Sequence, residues 1–256
     1  MHVRPLALLC SLACASCALP SLDVQPRYAS LSIEGQAGFS SGGTGAAADV
    51  EDAGLDDDST VGGRLDFKFG APHLVLLAQA PRFEGDGTLD VSVSDGTNTI
   101  SAGANVASKI DLEMYDAALL FDLIPGDTIE VALGFGVAYL DMALRFEEDG
   151  TGTTVASDEA APVPLLAAGA SVWIGPVEVT GFAGGVRYEL DGDEINYLDL
   201  DAYARWKLFG GSHRLRGSLV GGYRLTQMDV EYDDGASNVD VDLTIQGPYV
   251  GLQVSL

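Results

Sequence analysis

Beyond residue 17 the chain has no cysteine: Cys10, Cys14 and Cys17 all lie in the opening segment. Once that segment is cut away, neither a disulfide nor a thiolate metal site can be built. Histidine is almost as scarce. Of three, His2 belongs to the same leader, and His73 and His213 stand far apart in sequence. Cations are few as well, 13 Lys and Arg against 38 Asp and Glu, for a formal charge of −25. Nucleic acid demands a basic surface, so this balance excludes it as a partner. A long apolar run is also missing. The least charged stretch, Pro162 to Val186, carries only Glu178, but Pro162, Pro164, Pro176 and five glycines interrupt it. Its core, Leu165 to Ile174, is about half the length a helix needs to cross hydrocarbon, though it suits a tilted transmembrane strand.

What the opening segment does contain is one Arg, a short apolar run and then small residues, from Met1 to Pro20. This is the pattern of a secretory signal peptide, assigned to 1–17, and it is too short for a membrane span. Ordinary signal cleavage somewhere after Ser16 is the reading adopted. Lipidation at Cys17 is the alternative, although Cys14 stands where a leucine-like residue is expected three positions upstream. About 235 residues follow, enough for one barrel domain, assigned to 28–256.

Within that domain apolar and polar residues alternate. From Leu198 to Leu208 the residues Leu198, Leu200, Ala202, Ala204, Trp206 and Leu208 share one face. Tyr197, Asp199, Asp201, Tyr203, Arg205 and Lys207 share the other. A period of two is a strand signal. The pattern recurs along ten candidate strands at 28–40, 59–70, 73–81, 108–123, 128–146, 161–174, 177–190, 194–208, 213–232 and 239–256. Short connections (70–73, 124–127, 175–176, 209–212) alternate with longer or more acidic ones (41–58, 82–107, 147–160, 191–193, 233–238). That is the pattern of an all-β, antiparallel transmembrane barrel with short periplasmic turns, long outer loops and both termini in the periplasm. Ten strands is the count adopted; eight and twelve are the alternatives. Val91 to Ile100, with Asp95-Gly96 at its turn, reads as a hairpin in an outer loop, too polar to meet lipid. A soluble lipocalin-like barrel would invert the two faces.

Lipid tolerates an unpaired charge poorly, so the apolar set is assigned outward. Ile129, Val131, Leu133, Phe135, Val137 and Tyr139 form one such face, Leu65, Phe67 and Phe69 another, and Leu215, Leu219, Tyr223 and Leu225 a third. In the last strand Val241, Leu243 and Ile245 are assigned outward too, and a bulge at Gly247-Pro248 then brings Val250, Leu252, Val254 and Leu256 to the same side. The polar set becomes the interior. Its charges are Arg64, Asp66, Lys68, Glu130, Arg187, Asp199, Asp201, Arg205, Lys207, Arg214, Arg216 and Arg224. Arg64, Lys68, Arg205, Lys207, Arg214 and Arg216 fall toward the short-turn ends of their strands. Asp199, Asp201, Glu189 and Asp111 fall toward the long-loop ends. Two states of such a lumen are open: a paired, filled interior, or a narrow pore with a basic inner and an acidic outer mouth.

The closing segment from Gly222 to Leu256, together with Ile110 to Leu123, resembles a family of small Gram-negative outer-membrane β-barrel proteins of unassigned activity. The resemblance implies residence in the outer membrane, contact with lipid and lipopolysaccharide, and insertion by the barrel-assembly machinery. Many relatives end in Phe, where this chain has Leu256.

No cofactor or metal site is expected. The acidic loop segments 49–58, 147–149, 191–194 and 233–234 lack the spaced Asp/Asn-Gly-Glu order of an EF-hand and are assigned to solvation, with loose capture of divalent cations as the alternative. Serines abound without a base partner, since His73 and His213 fall at short turns, so no catalysis is expected. The function expected is a structural or surface-interaction role in the outer membrane. A narrow passive channel is the second reading and an outer-membrane enzyme the third.

Overall fold

Residues with alternating hydropathy and few internal breaks pair along their whole length, and the computed structural model has fourteen strands and no helix among the described residues. The structure describes residues 20–41, 46–126, 128–190, 193–210, 215–233 and 237–256, without the side chains of 39–41, 189–190, 193–194, 231–233 and 237–239. The strands are β1 (Ser21–Ser41), β2 (Ala48–Asp49), β3 (Asp58–Lys68), β4 (Pro72–Gln79), β5 (Arg82–Thr88), β6 (Val93–Ser94), β7 (Thr99–Ile100), β8 (Asn105–Ile124), β9 (Ile129–Glu148), β10 (Thr154–Ile174), β11 (Val177–Leu190), β12 (Asp193–Phe209), β13 (Arg216–Asp233) and β14 (Ser237–Ser255).

Ten of them form the wall, in the order β14-β13-β12-β11-β10-β9-β8-β4-β3-β1, each antiparallel to its neighbours, and β1 pairs with β14 to close the barrel. Leu22 and Leu256 exchange backbone hydrogen bonds at the seal. The wall begins at Ser21, earlier than the sequence pattern suggests, because Ser21 to Leu31 pair with β3 on one side and β14 on the other. The short turns gather at one end, where Gly175 adopts φ +64 in a two-residue connection, a conformation glycine reaches without strain. The long connections gather at the other.

At the long-loop end β3 and β4 stop short while β1 and β8 run on. Two small elements fill that part of the wall: β2 pairs with β1, and β5 takes over from β4 beside β8. The segment between them links both, through Thr88 N–H to Asp52 C=O at 2.9 Å and Asp56 N–H to Glu84 C=O at 3.2 Å. The β6–β7 hairpin bends inward and touches β1 and β10 across the mouth. It lies in a loop at the long-loop end and not in the wall.

One stretch of wall stays open among the described residues. β9 and β10 pair from Thr154 to Val172, but β10 and β11 pair only from Leu166↔Gly185 to Ile174↔Val177. Among those residues the half of β10 from Thr154 to Leu165 therefore has a free edge toward β11. Pro162 and Pro164 lie on it and Asp158, Glu159 and Pro162 are exposed. A strand with no partner on one side tolerates residues without an N–H, and edge charges discourage pairing with another chain.

Candidate functional site

The outward face is apolar over a belt. On β9, Leu133 and Phe135 are about half exposed, and Leu166 on β10 is 75% exposed. Trp206, Leu208, Leu219, Val250 and Leu252 continue the belt around the barrel. The run from Ile129 to Tyr139 matches the roughly 9–11 residues a tilted strand needs to cross hydrocarbon. Phe67, Phe69, Phe121, Trp206 and Phe209 mark its short-turn edge, and Tyr28, Tyr115, Tyr139 and Tyr223 its other edge. Two of these hydroxyls reach polar groups beyond the belt, Tyr115 donating to Glu113 at 3.0 Å and Tyr223 to Gln246 at 3.1 Å. Aromatic girdles around an apolar band and a polar interior define a transmembrane β-barrel.

Inside, the short-turn half is polar. Asp201 is its hub. Arg27 donates to it at 2.9 Å, Arg64 at 3.3 Å and the Tyr249 hydroxyl at 2.5 Å. Arg64 also forks onto Asp66 with two bonds of 2.8 Å. The guanidinium of Arg27 lies 4.3 Å from the Tyr249 ring centroid, and that of Arg64 5.4 Å from Tyr203. A second cluster crosses the lumen: Arg224 on β13 donates to Asp199 on β12 (2.8 Å), Asp116 on β8 (2.6 Å) and Gln79 on β4 (3.1 Å). Thr226 adds a bond to Asp199 and Tyr197 one to Asp116. Arg205 pairs with Glu178 and Asp23, and Lys68 with Glu130 at 2.5 Å. Strand alternation aims these side chains inward, and packing holds most of them dry. Such charges persist when paired and hydrogen-bonded; of these carboxylates Asp199 keeps one buried oxygen, Oδ2, without a hydrogen-bond partner among the described residues.

The clusters bring together Arg64, Asp66, Lys68, Glu130, Asp199, Asp201, Arg205 and Arg224, with the signs interleaved along the lumen and no segregation into a basic and an acidic mouth. Lys207 has the inward register but emerges at the rim, 5.3 Å from the Trp173 ring. Arg216 is likewise exposed at the rim. Arg187 corrects the sequence assignment: Phe182 and Gly184 face inward, so Arg187 faces outward near the long-loop end, beyond the apolar belt, where a charge meets water. Asp111 also faces outward and pairs with Arg82 and Lys109. Arg214 and His213 lie outside the described residues, as do the side chain of Glu189 and the entire 1–17 segment.

The interior of the other half is apolar, which overturns a second assignment. Val241, Leu243 and Ile245 are buried inside the barrel, not outward, and β14 runs from Asn238 to Ser255 against β13 with no register break. With Leu31, Ile33, Phe83, Ile110, Leu112, Met114, Leu144 and Phe146 they form a core, and Val50, Leu89, Val93 and Ile100 from the loops close over it. Above the belt the surroundings are water, so the faces exchange roles while the register continues.

Several interior residues escaped the sequence reading. Asp23, Gln25 and Arg27 precede the expected start of the first strand; Asp116 and Glu178 lie at inward positions of strands whose alternation was visible. Applied to every strand, parity would have found the last two.

No protein-family profile matches the chain, and no curated protein sequence does. Among solved structures it is similar to the outer membrane protein OprG of Pseudomonas aeruginosa at 13% identity and TM-score 0.39, covering 92% of this chain and 95% of that one. It is also similar to the transport unit of the Escherichia coli autotransporter AIDA-I, at 11% identity and TM-score 0.36 over 98% and 99% of the two chains. The outer membrane protein AlkL in lipid bilayers gives 13%, 0.30, 94% and 91%. Likeness this distant assigns no activity.

Proposed function

We propose that the chain is exported by its 1–17 leader and resides as an integral outer-membrane barrel with a structural or surface-interaction role and no catalysis. The short turns and both termini are placed in the periplasm, and the loops outside. One observation carries the closed-barrel reading: the lumen is blocked twice, by the Asp201 and Arg224 clusters below and by the apolar core with its loop cover above. A hydrated ion would have to break buried ion pairs and then enter a dry chamber. Planar-bilayer recording of the refolded protein is the test: no resolvable conductance steps are expected, and steady ohmic steps would overturn the reading.

The unpaired half of β10 favours a second reading. The free edge from Thr154 to Leu165 borders the apolar core, where Val155, Val163 and Leu165 are buried. Small apolar molecules entering from outside could leave sideways there without crossing the charged half. This narrows the passive-channel alternative to apolar solutes. Pro162→Val with Pro164→Val restores two N–H groups and should let the edge pair with β11, slowing uptake of a small apolar dye by whole cells. Unchanged uptake would remove this reading and leave the first.

A further inference from the structure

The barrel's short-turn mouth holds two side chains that none of these clusters uses, His73 and Asp122, beside a third, Glu130, that shares one oxygen with Lys68. His73 is the second residue of β4, Asp122 lies two residues before the end of β8 and Glu130 is the second residue of β9, and all three point into the lumen. One ligand-type atom from each lies within 4.8 Å of the others. His73 is 5% exposed, and its Nδ1 faces Asp122 Oδ1 at 3.2 Å without hydrogen-bond geometry. Both atoms are buried, and neither has a hydrogen-bond partner among the described residues. Buried polar atoms are nearly always satisfied, so two unsatisfied atoms turned toward each other call for a shared third group.

Charge indicates its sign. The adjoining cavity, about 50 Å³, is lined by the carboxylates of Asp23, Asp66, Glu130 and Glu178 and by the cations Arg64, Lys68 and Arg205. Those cations already pair with Asp66, Asp201, Glu130, Glu178 and Asp23. Asp122 adds a further carboxylate whose only ion-pair contact among the described residues is the imidazole of His73. Around the cavity itself carboxylates therefore outnumber cations, and a bound cation would offset them; Lys207 and Arg216, exposed at the rim, are not part of its lining. Lys68 takes Oε1 of Glu130 and leaves the other oxygen available.

We propose that His73, Asp122 and Glu130 form a divalent transition-metal site of the zinc class at the mouth of the barrel. One imidazole nitrogen and two carboxylate oxygens are ligands zinc accepts, with water completing a four-coordinate shell. Imidazole distinguishes the site from an all-oxygen calcium or magnesium cage. Zinc–ligand bonds of about 2.0–2.2 Å require the three donors to close in slightly. Glu130, whose side chain is 25% exposed, has the freedom to supply that movement. The ion would tie the ends of β4, β8 and β9 together.

The acidic loops will capture cations weakly, so the test must separate the two sources. Refolded full-length protein in detergent, stripped with chelator, is titrated with Zn²⁺ against a competing indicator dye. One site per barrel is expected, weakened at least tenfold in both His73→Gln and Asp122→Asn and unchanged in Asp111→Asn, which alters an outward carboxylate. Saturable binding that His73→Gln retains would belong to the loops and overturn the proposal, as would failure of the wild type to bind. If His73→Gln does not refold, Co²⁺ added to the wild type decides. A visible band that one equivalent of Zn²⁺ bleaches is expected, and its absence overturns the site.

Discussion

At the scale of single residues, the lumen separates charges that look alike in the sequence. Arg216 and Arg224 both occupy inward positions of β13, eight residues apart in register, yet Arg216 is exposed at the rim and Arg224 is 5% exposed between Asp199 and Asp116. Removing Arg224 leaves two buried carboxylates facing each other without their cation. Arg224→Ala should therefore destabilise the barrel by ~3–5 kcal/mol, read as a lowered urea midpoint of refolding into lipid. Arg216→Ala should stay within about 0.5 kcal/mol. Equal midpoints for the two variants would mean that the Arg224 cluster is wetted and not a structural clamp. Parity along a strand was enough to put both arginines on the inner face, but parity does not record depth. Depth follows from where each strand enters and leaves the belt, which depends on tilt and on neighbouring strands. Arg27 shows the complementary failure: Pro26 and the scarcity of apolar residues before Tyr28 hide the start of β1, and only pairing with β3 and β14 fixes it.

At the scale of the element, β9 and β14 show how much of the wall was readable. The apolar alternation of β9 from Ile129 to Tyr139 is outward as its sequence indicates, because hydrocarbon surrounds that stretch. Leu133→Arg, placing a charge on the belt, should cost roughly 2–4 kcal/mol near mid-membrane, whereas Ala132→Ser on the inward side, beside the polar cavity, should cost well under half of that. The reverse order in a refolding titration would invert the faces. In β14 the apolar residues jump from odd to even positions at Gly247-Pro248, which looks like a bulge. The continuous register shows that no residue was inserted; the surroundings changed from water to lipid instead. A periodicity argument sees the jump but not its cause, since both explanations give the same string. The β6–β7 hairpin was legible from Asp95-Gly96. Asp95 accepts hydrogen bonds from the N–H groups of Thr97 (2.8 Å) and Asn98 (2.7 Å). The Asn98 bond foremost holds its carboxyl below the usual carboxylate range. A lowered folded value means that this support is present above the unfolded pKa, ~3.9, and is lost as pH falls through the folded one. Amide protection at Thr97 and Asn98 should persist from neutral pH down past the ordinary carboxylate value of ~3.9 and drop only below it, and Asp95→Asn should abolish that step.

For the whole molecule the two blocks in the lumen obey opposite physics, and they can be removed separately. The upper one depends on burial: the segment between Leu89 and Ala104 places Val93 and Ile100 over the core, both with no exposed surface. Leu89 and Ala104 stand just beyond the last pair of β5 and β8, Thr88↔Asn105, and are joined by the Leu89 N–H to Ala104 C=O bond at 3.1 Å. Replacing residues 90–103 by Asn-Gly, the favoured two-residue hairpin turn, should join β5 to β8 without disturbing the wall. The variant should fold and keep the heat-modifiable gel mobility expected of a closed barrel, because the Asp201 and Arg224 clusters lie on the wall strands and do not involve the loop. Its opened chamber exposes apolar side chains such as Ile110 and Leu112, so an environment-sensitive apolar dye should bind it more strongly than the parent. Conductance should nonetheless remain undetectable, since ions that pass the upper level still meet paired charges that a narrow lumen cannot hydrate cheaply. Ion steps in this variant would place the only barrier in the loop cover and make the barrel a gated channel. Dye binding without current would show that the lower block is sufficient by itself.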